Sequence, residues 1–550
     1  MDKGDERACL QSLPVADLAV KHAKIYTVEI GQPWAQAVAI KGDKIIAVGR
    51  DGDIEQYIGS GTSVVDAKGR LLLPGFIDCH THFAPGAAGL DQVFLNTATS
   101  LEEAQRRIKA YADSHPDKEW IIGRGFGYVY FPNQRLPRKE DIDVVVPDRP
   151  AYFKSYDGHS VWANSKALEL AGITKDSVYD GYGEIIRDPE TGEPTGCFTE
   201  RSQNLIVSLP KTTYEDRLGA LGMGVKYASS LGVTSVHVCI GFGVTPEDRD
   251  LYQALLDRGE LTIRVHMSRL ILPSMDVKDY IESTKAISEK YNNKYIRANF
   301  AKMFMDGVME VHTAAMLEPY SDDTSQAGST DWPQKDFNDT VAKLDEEGIQ
   351  IICHSIGDKA VRWNLDGYEY AQKVNGKKDS RHAVTHIECI HPQDMPRFKE
   401  LGVICNMQPQ HASAEEVGRG GWVAAVGPER VKYAWPWSSL DESGGKLAFG
   451  SDWPVVTLNP ITGIYTATTR RSPALPEQHL SLEKTIESYT INGAYSSFEE
   501  NIKGSIKEGK LADMVILSHD LFSIPKEEIK DAKVMMTIFA GNVVYKDKEF

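Results

Sequence analysis

Phe76-Ile77-Asp78-Cys79-His80-Thr81-His82 is an apolar strand that ends in two histidines one residue apart. Alternate residues of a strand project to the same side, so both imidazoles of such a pair can converge on one ion. Outward from this stretch the chain alternates short apolar strands with amphipathic helices. Strands are expected over 75–77, 233–238, 261–265, 300–305, 349–353, 383–386, 403–406 and 447–450, and helices over 215–230, 276–290, 336–347 and 359–373. Eight strand–helix steps predict an α/β fold of the (β/α)8 TIM-like barrel type, whose chemistry sits at the C-terminal ends of the strands. An open doubly wound sheet is the alternative, but no GxGxxG follows an early strand to support it.

Both ends of the chain read as strands. Leu18 to Val48 carries β-branched residues around the turn at Lys41-Gly42-Asp43-Lys44, and Met514 to Tyr545 repeats that texture around Gly541-Asn542. The expectation is a small composite β-sandwich domain built from residues 15–74 and 500–550, beside a barrel domain over 75–499. Between barrel strands 1 and 2 lies a stretch, 97–214, that is too long for a plain connection. Its aromatics, among them Trp120, Tyr128, Tyr130, Phe131, Tyr152, Phe153, Tyr156 and Trp162, suffice for a subdomain expected to cover the active site.

The 550 residues hold 61 Lys+Arg against 78 Asp+Glu, a formal charge of −17. That balance disfavours nucleic acid or an anionic membrane surface as the main partner. No apolar run approaches the roughly 18 to 20 residues of a spanning helix. Residues 1–17 lack the apolar core of a secretion signal, so a cytoplasmic protein is expected. Seven cysteines stand singly without a CxxC pattern, as reduced thiols do. A homodimer is the base-rate expectation for assembly.

Further polar residues stand at predicted strand ends. His354 follows Ile351-Ile352-Cys353, His386 follows Ala383-Val384-Thr385, and Asp452 closes Leu447 to Ser451. A single histidine after a strand is more often structural than a ligand. Two of them plus a carboxylate, matched to His80 and His82, form the ligand mixture that suits zinc and similar divalent ions. Lys302 lies inside the apolar run Asn299 to Met305, where an ammonium must snorkel, pair with Asp306, or lose its charge. His159, in Asp157-Gly158-His159-Ser160, is a candidate for substrate binding, as are Gln408 and His411 at the end of the seventh strand. Glu200 is a weaker candidate for a bridging carboxylate and reads better as a surface residue.

The order and spacing of these motifs resemble the amidohydrolase superfamily, specifically its family 3 branch with N-substituted formamide deformylase-like proteins. The resemblance rests on Leu73 to His82, Lys302 to Gly307, Cys353 to Asp358, His386 with His391-Pro392, Met407 to His411, Gly450 to Pro454, and Lys503 to Asp513. It implies one or two divalent ions, zinc in the first instance. His80 and His82 would hold one ion and His354 and His386 a second, with Lys302, carboxylated by carbon dioxide, as the bridge. A single-ion version would use His80, His82, His354 and Asp452, with His386 polarising the substrate. Asp452 would bind metal and handle the proton. Two departures bear on substrate preference: Thr385 stands where many relatives have Glu, and Glu310 and His312 follow Asp306-Gly307 where many have small residues and an arginine.

The implied activity is hydrolysis of a carbon–nitrogen bond in an amide, formamide or cyclic amide by metal-activated hydroxide. The implied substrate is a small N-acyl or aryl-bearing molecule. A deaminase of a cyclic amidine, or a non-catalytic member with an assembly role, are the alternatives.

Overall fold

The computed structural model describes residues 13–127, 131, 135–155, 160–180, 184–206, 213–239, 248–309, 312–417, 421–472 and 475–550. Eight strands form one parallel sheet in chain order: β1 (Phe76–Thr81), β2 (Val233–Val238), β3 (Arg264–Leu270), β4 (Ile296–Phe304), β5 (Gln350–Ser355), β6 (Ala383–His386), β7 (Ile404–Met407) and β8 (Lys446–Phe449). Such strands are covered on both faces, which is why most read as continuous apolar runs. Helices Asp248–Asp257, Val277–Lys290, Gln334–Glu346, Asp358–Asn375 and Met395–Leu401 follow β2 to β6, and Pro460–Thr469 follows β8. Their starts are set locally: Asp276 accepts from the Lys278 and Asp279 amides, and Asn459 from the Ile461 amide ahead of a proline at the first turn.

The sheet closes on itself just past the strand ends. Thr81 bridges Trp453 in parallel register, the Asp452 amide donates to the His80 carbonyl at 2.7 Å, and the His82 amide donates to the Trp453 carbonyl at 2.7 Å. The fold is therefore a (β/α)8 barrel whose seam joins β1 to the segment after β8. Gly450 is required at that seam, because a Cβ there would stand 2.5 Å from the His80 nitrogen. Asp78 pins the same place, its Oδ1 accepting from the His80 amide (3.1 Å) and the Ser451 amide (3.0 Å). Burial pushes the Asp78 carboxyl up to about 7.

Strand β3 begins at Arg264 and runs to Leu270, later than the 261–265 expected from hydropathy. Its His266, Ser268 and Arg269 interrupt the apolar pattern, and Arg264 is buried only because Asp513 pairs with it. Strand β4 starts four residues earlier than expected, at Ile296, and ends one earlier, at Phe304.

The chain ends share a second structure. A six-stranded sheet runs in the order Asn542–Lys546, Val534–Phe539, Met514–Leu517, Leu71–Pro74, Lys24–Tyr26, Trp34–Ala35. A four-stranded sheet holds Lys44–Gly49, Ala37–Lys41, Leu18–Lys21 and Ser63–Asp66. Leu18, Val20, Val38 and Ile40 from one sheet and Ile25, Leu72, Met514, Ile516 and Ile538 from the other share one buried core, the small composite β domain.

One compact unit runs to Phe83 and resumes at Val225, and the other is Ala84–Gly224. The latter, inserted between β1 and β2, has its own six-stranded sheet with Ile121–Phe126 and Ala151–Ser155 as parallel neighbours. Its helix Leu101–Ser114, capped by Ser100, packs Ala104 and Ile108 with Phe126, Phe131, Phe153 and Trp162. Tyr128, Tyr130 and Tyr156 lie outside the described residues. No helix among those described is long and apolar enough to cross a membrane.

Candidate metal centre

His80, His386 and Asp452 come from β1, β6 and the turn after β8, and their ligand atoms all lie within 4.8 Å of one another. All three are buried. Asp452 Oδ1 stands 3.4 Å from His80 Nε2 and 3.1 Å from His82 Nε2. The His80 ring centroid lies 5.0 Å from that of His386 and 5.6 Å from that of His82, and the His354 and His386 centroids are 4.4 Å apart. Two of these residues adopt the left-handed backbone region, His386 at φ 79 and Asp452 at φ 62. Such conformations persist where surrounding structure over-determines them, and they cluster at functional sites.

Burial and neighbouring charges shift the protonation of these groups. Burial, with Lys302 nearby, holds the His80 imidazole well below its usual pKa. Burial and the same lysine bring His354 down to about 3, and burial with His354 beside it depresses His386. Burial alone would raise the Asp452 carboxyl, yet His80, His82 and His386 around it hold it well below the usual carboxylate range. The result is neutral imidazoles facing an ionised carboxylate. His80 Nε2, His386 Nδ1 and Asp452 Oδ1 are buried without a hydrogen-bond partner. Unspent lone pairs on three converging groups are costly in a dry interior unless a cation takes them, so the residues present fit a divalent ion. His354 donates from Nε2 to the Gly307 carbonyl at 3.0 Å, leaving its Nδ1 as the available lone pair.

Lys302 is fully buried, and its Nζ has no hydrogen-bond partner. It lies over the Phe304 ring at 4.8 Å, and burial lowers its pKa. Asp306 is not its partner, because that carboxylate accepts from the amides of Ala315, Ile356 and Gly357 at 2.9, 3.0 and 2.9 Å.

The remaining candidates divide. His411 Nε2 stands 3.7 Å from Asp452 Oδ2, and its Nδ1 stands 3.7 Å from Glu388 Oε1, so the structure brings it to the cluster. Gln408 is buried in β7's exit and donates to Asn406 Oδ1 and Thr385 Oγ1 at 3.0 and 3.3 Å. His312 pairs instead with Asp322 at 2.9 Å and packs on Tyr320. His159 and Glu310, and the side chain of Glu200, lie outside the described residues. Sequence reasoning passed over Glu388, whose Oε2 accepts from Trp422 Nε1 at 2.7 Å, and Asn406. A polar residue inside or just beyond an apolar strand was the only signal either offered.

The (β/α)8 barrel thus brings histidines and a carboxylate together at the strand ends, the face where barrel enzymes carry their chemistry, in a set that fits a divalent ion. The family model described as "Amidohydrolase family" matches residues 63–545, and the chain belongs to that family. It is 31% identical over 559 residues to Protein LONG AFTER FAR-RED 3 of Arabidopsis thaliana, covering 96% of this chain and 92% of that protein. It is 25% identical over 541 residues to the N-substituted formamide deformylase of Arthrobacter pascens, covering 96% and 98%. In fold it is similar to the crystal structure of an uncharacterized metal-dependent hydrolase from Pyrococcus horikoshii OT3, at TM-score 0.72 and 24% identity, covering 92% of this chain and 99% of that one.

Proposed function

We propose that the protein is a metal-dependent hydrolase that cleaves a carbon–nitrogen bond in a small amide, formamide or cyclic amide. The observation that carries this reading is the convergence of His80, His386 and Asp452, each with a buried lone pair that nothing in the protein uses. When bound, a divalent ion, zinc in this reading, brings the pKa of a water to roughly 7 and polarises a carbonyl. His80, His82, His354, His386 and Asp452 are the residues that would hold one or two such ions. Lys302 would join them after reaction with carbon dioxide, in which its amine forms a nitrogen–carbon bond, gives up a proton and becomes an anionic carbamate. That change removes the cost of an unpaired buried amine.

The two oxygens of Asp452 have different surroundings. Oδ1 faces His80 and His82, whereas Oδ2 faces His411. Oδ2 is therefore assigned to take the proton from the attacking water and return it to the leaving nitrogen. In a single-ion version held by His80, His82, His354 and Asp452, His386 would instead polarise the substrate carbonyl, and in either version His411 and Gln408 are assigned to contact the substrate. His159, Glu310 and His312 remain candidates for the distal part of the substrate on sequence grounds. The relative named N-substituted formamide deformylase supports an N-substituted formamide among these substrates.

Elemental analysis of purified protein, with a turnover screen of N-formyl, N-acyl and cyclic amide compounds, tests the reading. Stoichiometric zinc in the native chain, its loss in His80→Ala, and release of carboxylate or formate are expected. A native chain without bound divalent metal would overturn the proposal, as would ammonia release with no carboxylate or formate product.

A further inference from the structure

Thr385 immediately precedes His386, yet its side chain serves His80, three strands further round the barrel. The chain of donors and acceptors that leads there begins at a group with no freedom, the backbone carbonyl of Cys79, which can only accept. Asn406 Nδ2 donates to it at 2.9 Å, and this fixes which end of the Asn406 amide faces which way. Asn406 Oδ1 is thereby turned to Thr385 Oγ1 at 2.8 Å and to Gln408 Nε2 at 3.0 Å. An amide oxygen cannot donate, so Thr385 gives its single hydroxyl proton to Asn406. Thr385 Oγ1 then meets His80 Nδ1, 3.0 Å away, as an acceptor. Cys239 Sγ, 3.5 Å from the same nitrogen, adds only a weak partner.

The consequence falls on the far side of the ring. A ligating histidine is neutral and carries one proton. With that proton on Nδ1, Nε2 is a bare lone pair, and Nε2 is the atom that lies 3.4 Å from Asp452 Oδ1 without a hydrogen-bond partner. His80, Thr385, Asn406 and Gln408 are all buried, so water does not compete for these bonds. We propose that Thr385 is a positioning residue for the cation site: held by Asn406, it fixes the orientation and tautomer of His80 that leave Nε2 open to a divalent ion. The inference rests on the reading of His80 as a ligand.

Zinc affinity of the metal-stripped, full-length protein, measured by competition with a chromophoric chelator, tests it without recourse to turnover. Partners of this kind change metal affinity by ~10–100-fold when removed, so Thr385→Val should raise the zinc Kd by that factor, while Thr385→Ser, which keeps the hydroxyl, should stay within about 3-fold of the native chain. The metal-free Thr385→Val protein should remain folded, with a melting temperature lowered only by the buried hydrogen bonds it loses, so that affinity is read on folded protein. If valine prevents folding, Thr385→Ala removes the same hydroxyl without filling the space, and the same loss is expected. Native-like zinc binding by the hydroxyl-free variant overturns the inference. So does Thr385→Ser binding as weakly as Thr385→Val, which would assign the effect to the methyl group. A native chain that binds no zinc defeats the ligand reading itself, an outcome distinct from the other two.

Discussion

In the proposed reading Asp452 would carry two tasks on two oxygens, and that division makes it the most informative single residue to test. Its Oδ1 faces His80 and His82 and its Oδ2 faces His411, so an amide in place of the carboxylate would keep one oxygen for an ion and lose the proposed base. Asp452→Asn is therefore expected to retain most of its metal by elemental analysis while turnover falls at least ~100-fold, the usual scale for a lost general base. Full activity in this variant would move the proton-handling role elsewhere. At this scale the sequence offered its candidates where a polar residue broke an apolar pattern. His80, His82, His354, His386 and Asp452 each end an apolar run, and Lys302 interrupts one. Thr385 stood out only as a departure from the Glu of many relatives, and Asn406 not at all, because a threonine or asparagine in a strand has many innocuous explanations. Their role depends on which atoms face each other across the barrel, at separations of 305 residues (Thr385 to His80) and 327 residues (Asn406 to Cys79) that no local pattern encodes.

Individual elements are held in place by polar braces that hydropathy does not announce. Asp345, near the end of helix Gln334–Glu346, accepts from His382 Nε2 at 3.1 Å, Ser380 Oγ at 2.5 Å and Asn375 Nδ2 at 2.8 Å. It thereby ties that helix to the segment entering β6, the strand that presents His386. Burial would raise its pKa, but the hydrogen bonds from His382, Asn375 and Ser380 outweigh it and hold the carboxyl well below the usual range. A folded-state pKa below the unfolded value of about 3.9 contributes stability at pH above that value, and the contribution is lost as pH falls toward the folded pKa. Asp345→Asn turns an amide N–H toward a donor, and hydrogen bonds to charged groups are worth roughly 1.5–3 kcal/mol each. A lower melting temperature is thus expected at pH 7, with the gap from the native chain narrowing progressively below about pH 4. A gap that stays constant across that window, followed by differential scanning calorimetry, would show that the charge is not what braces the helix. The barrel strands were legible because parallel strands are apolar throughout. Strand β3 was displaced in the sequence reading because its polar residues are satisfied by partners from distant elements.

Across the whole molecule, the barrel and the composite β domain are fastened by one buried ion pair. Arg264 opens β3, and Asp513 precedes the strand Met514–Leu517, 249 residues away. The guanidinium donates from Nε and Nη2 to the two carboxylate oxygens at 2.7 and 3.0 Å, and from Nη1 to the Lys294 carbonyl at 2.8 Å. Asp513 also accepts from the Ala540 amide at 2.9 Å, and its carbonyl accepts from the Gly75 amide at 2.9 Å, one residue before β1. One residue therefore ties three places together, its carboxylate holding the start of β3 and the terminal hairpin and its main-chain carbonyl the entry to β1. The similar texture of the two chain ends suggested that they share a domain, but the fastening itself was illegible, because nothing in the sequence pairs Arg264 with a carboxylate 249 residues away. Removing one partner of a buried pair strands the other charge, at a cost of ~3–5 kcal/mol, whereas replacing both with apolar residues is often close to neutral. Asp513→Ala should accordingly lower the denaturation midpoint sharply. The double variant Arg264→Met with Asp513→Leu should recover part of the loss, the remainder reflecting the Ala540 amide left without its acceptor. Equal midpoints for Asp513→Ala and the native chain would mean that the packed apolar core of the β domain, not this charge pair, holds β1 and β3 at the spacing on which the convergence of His80 with His386 depends.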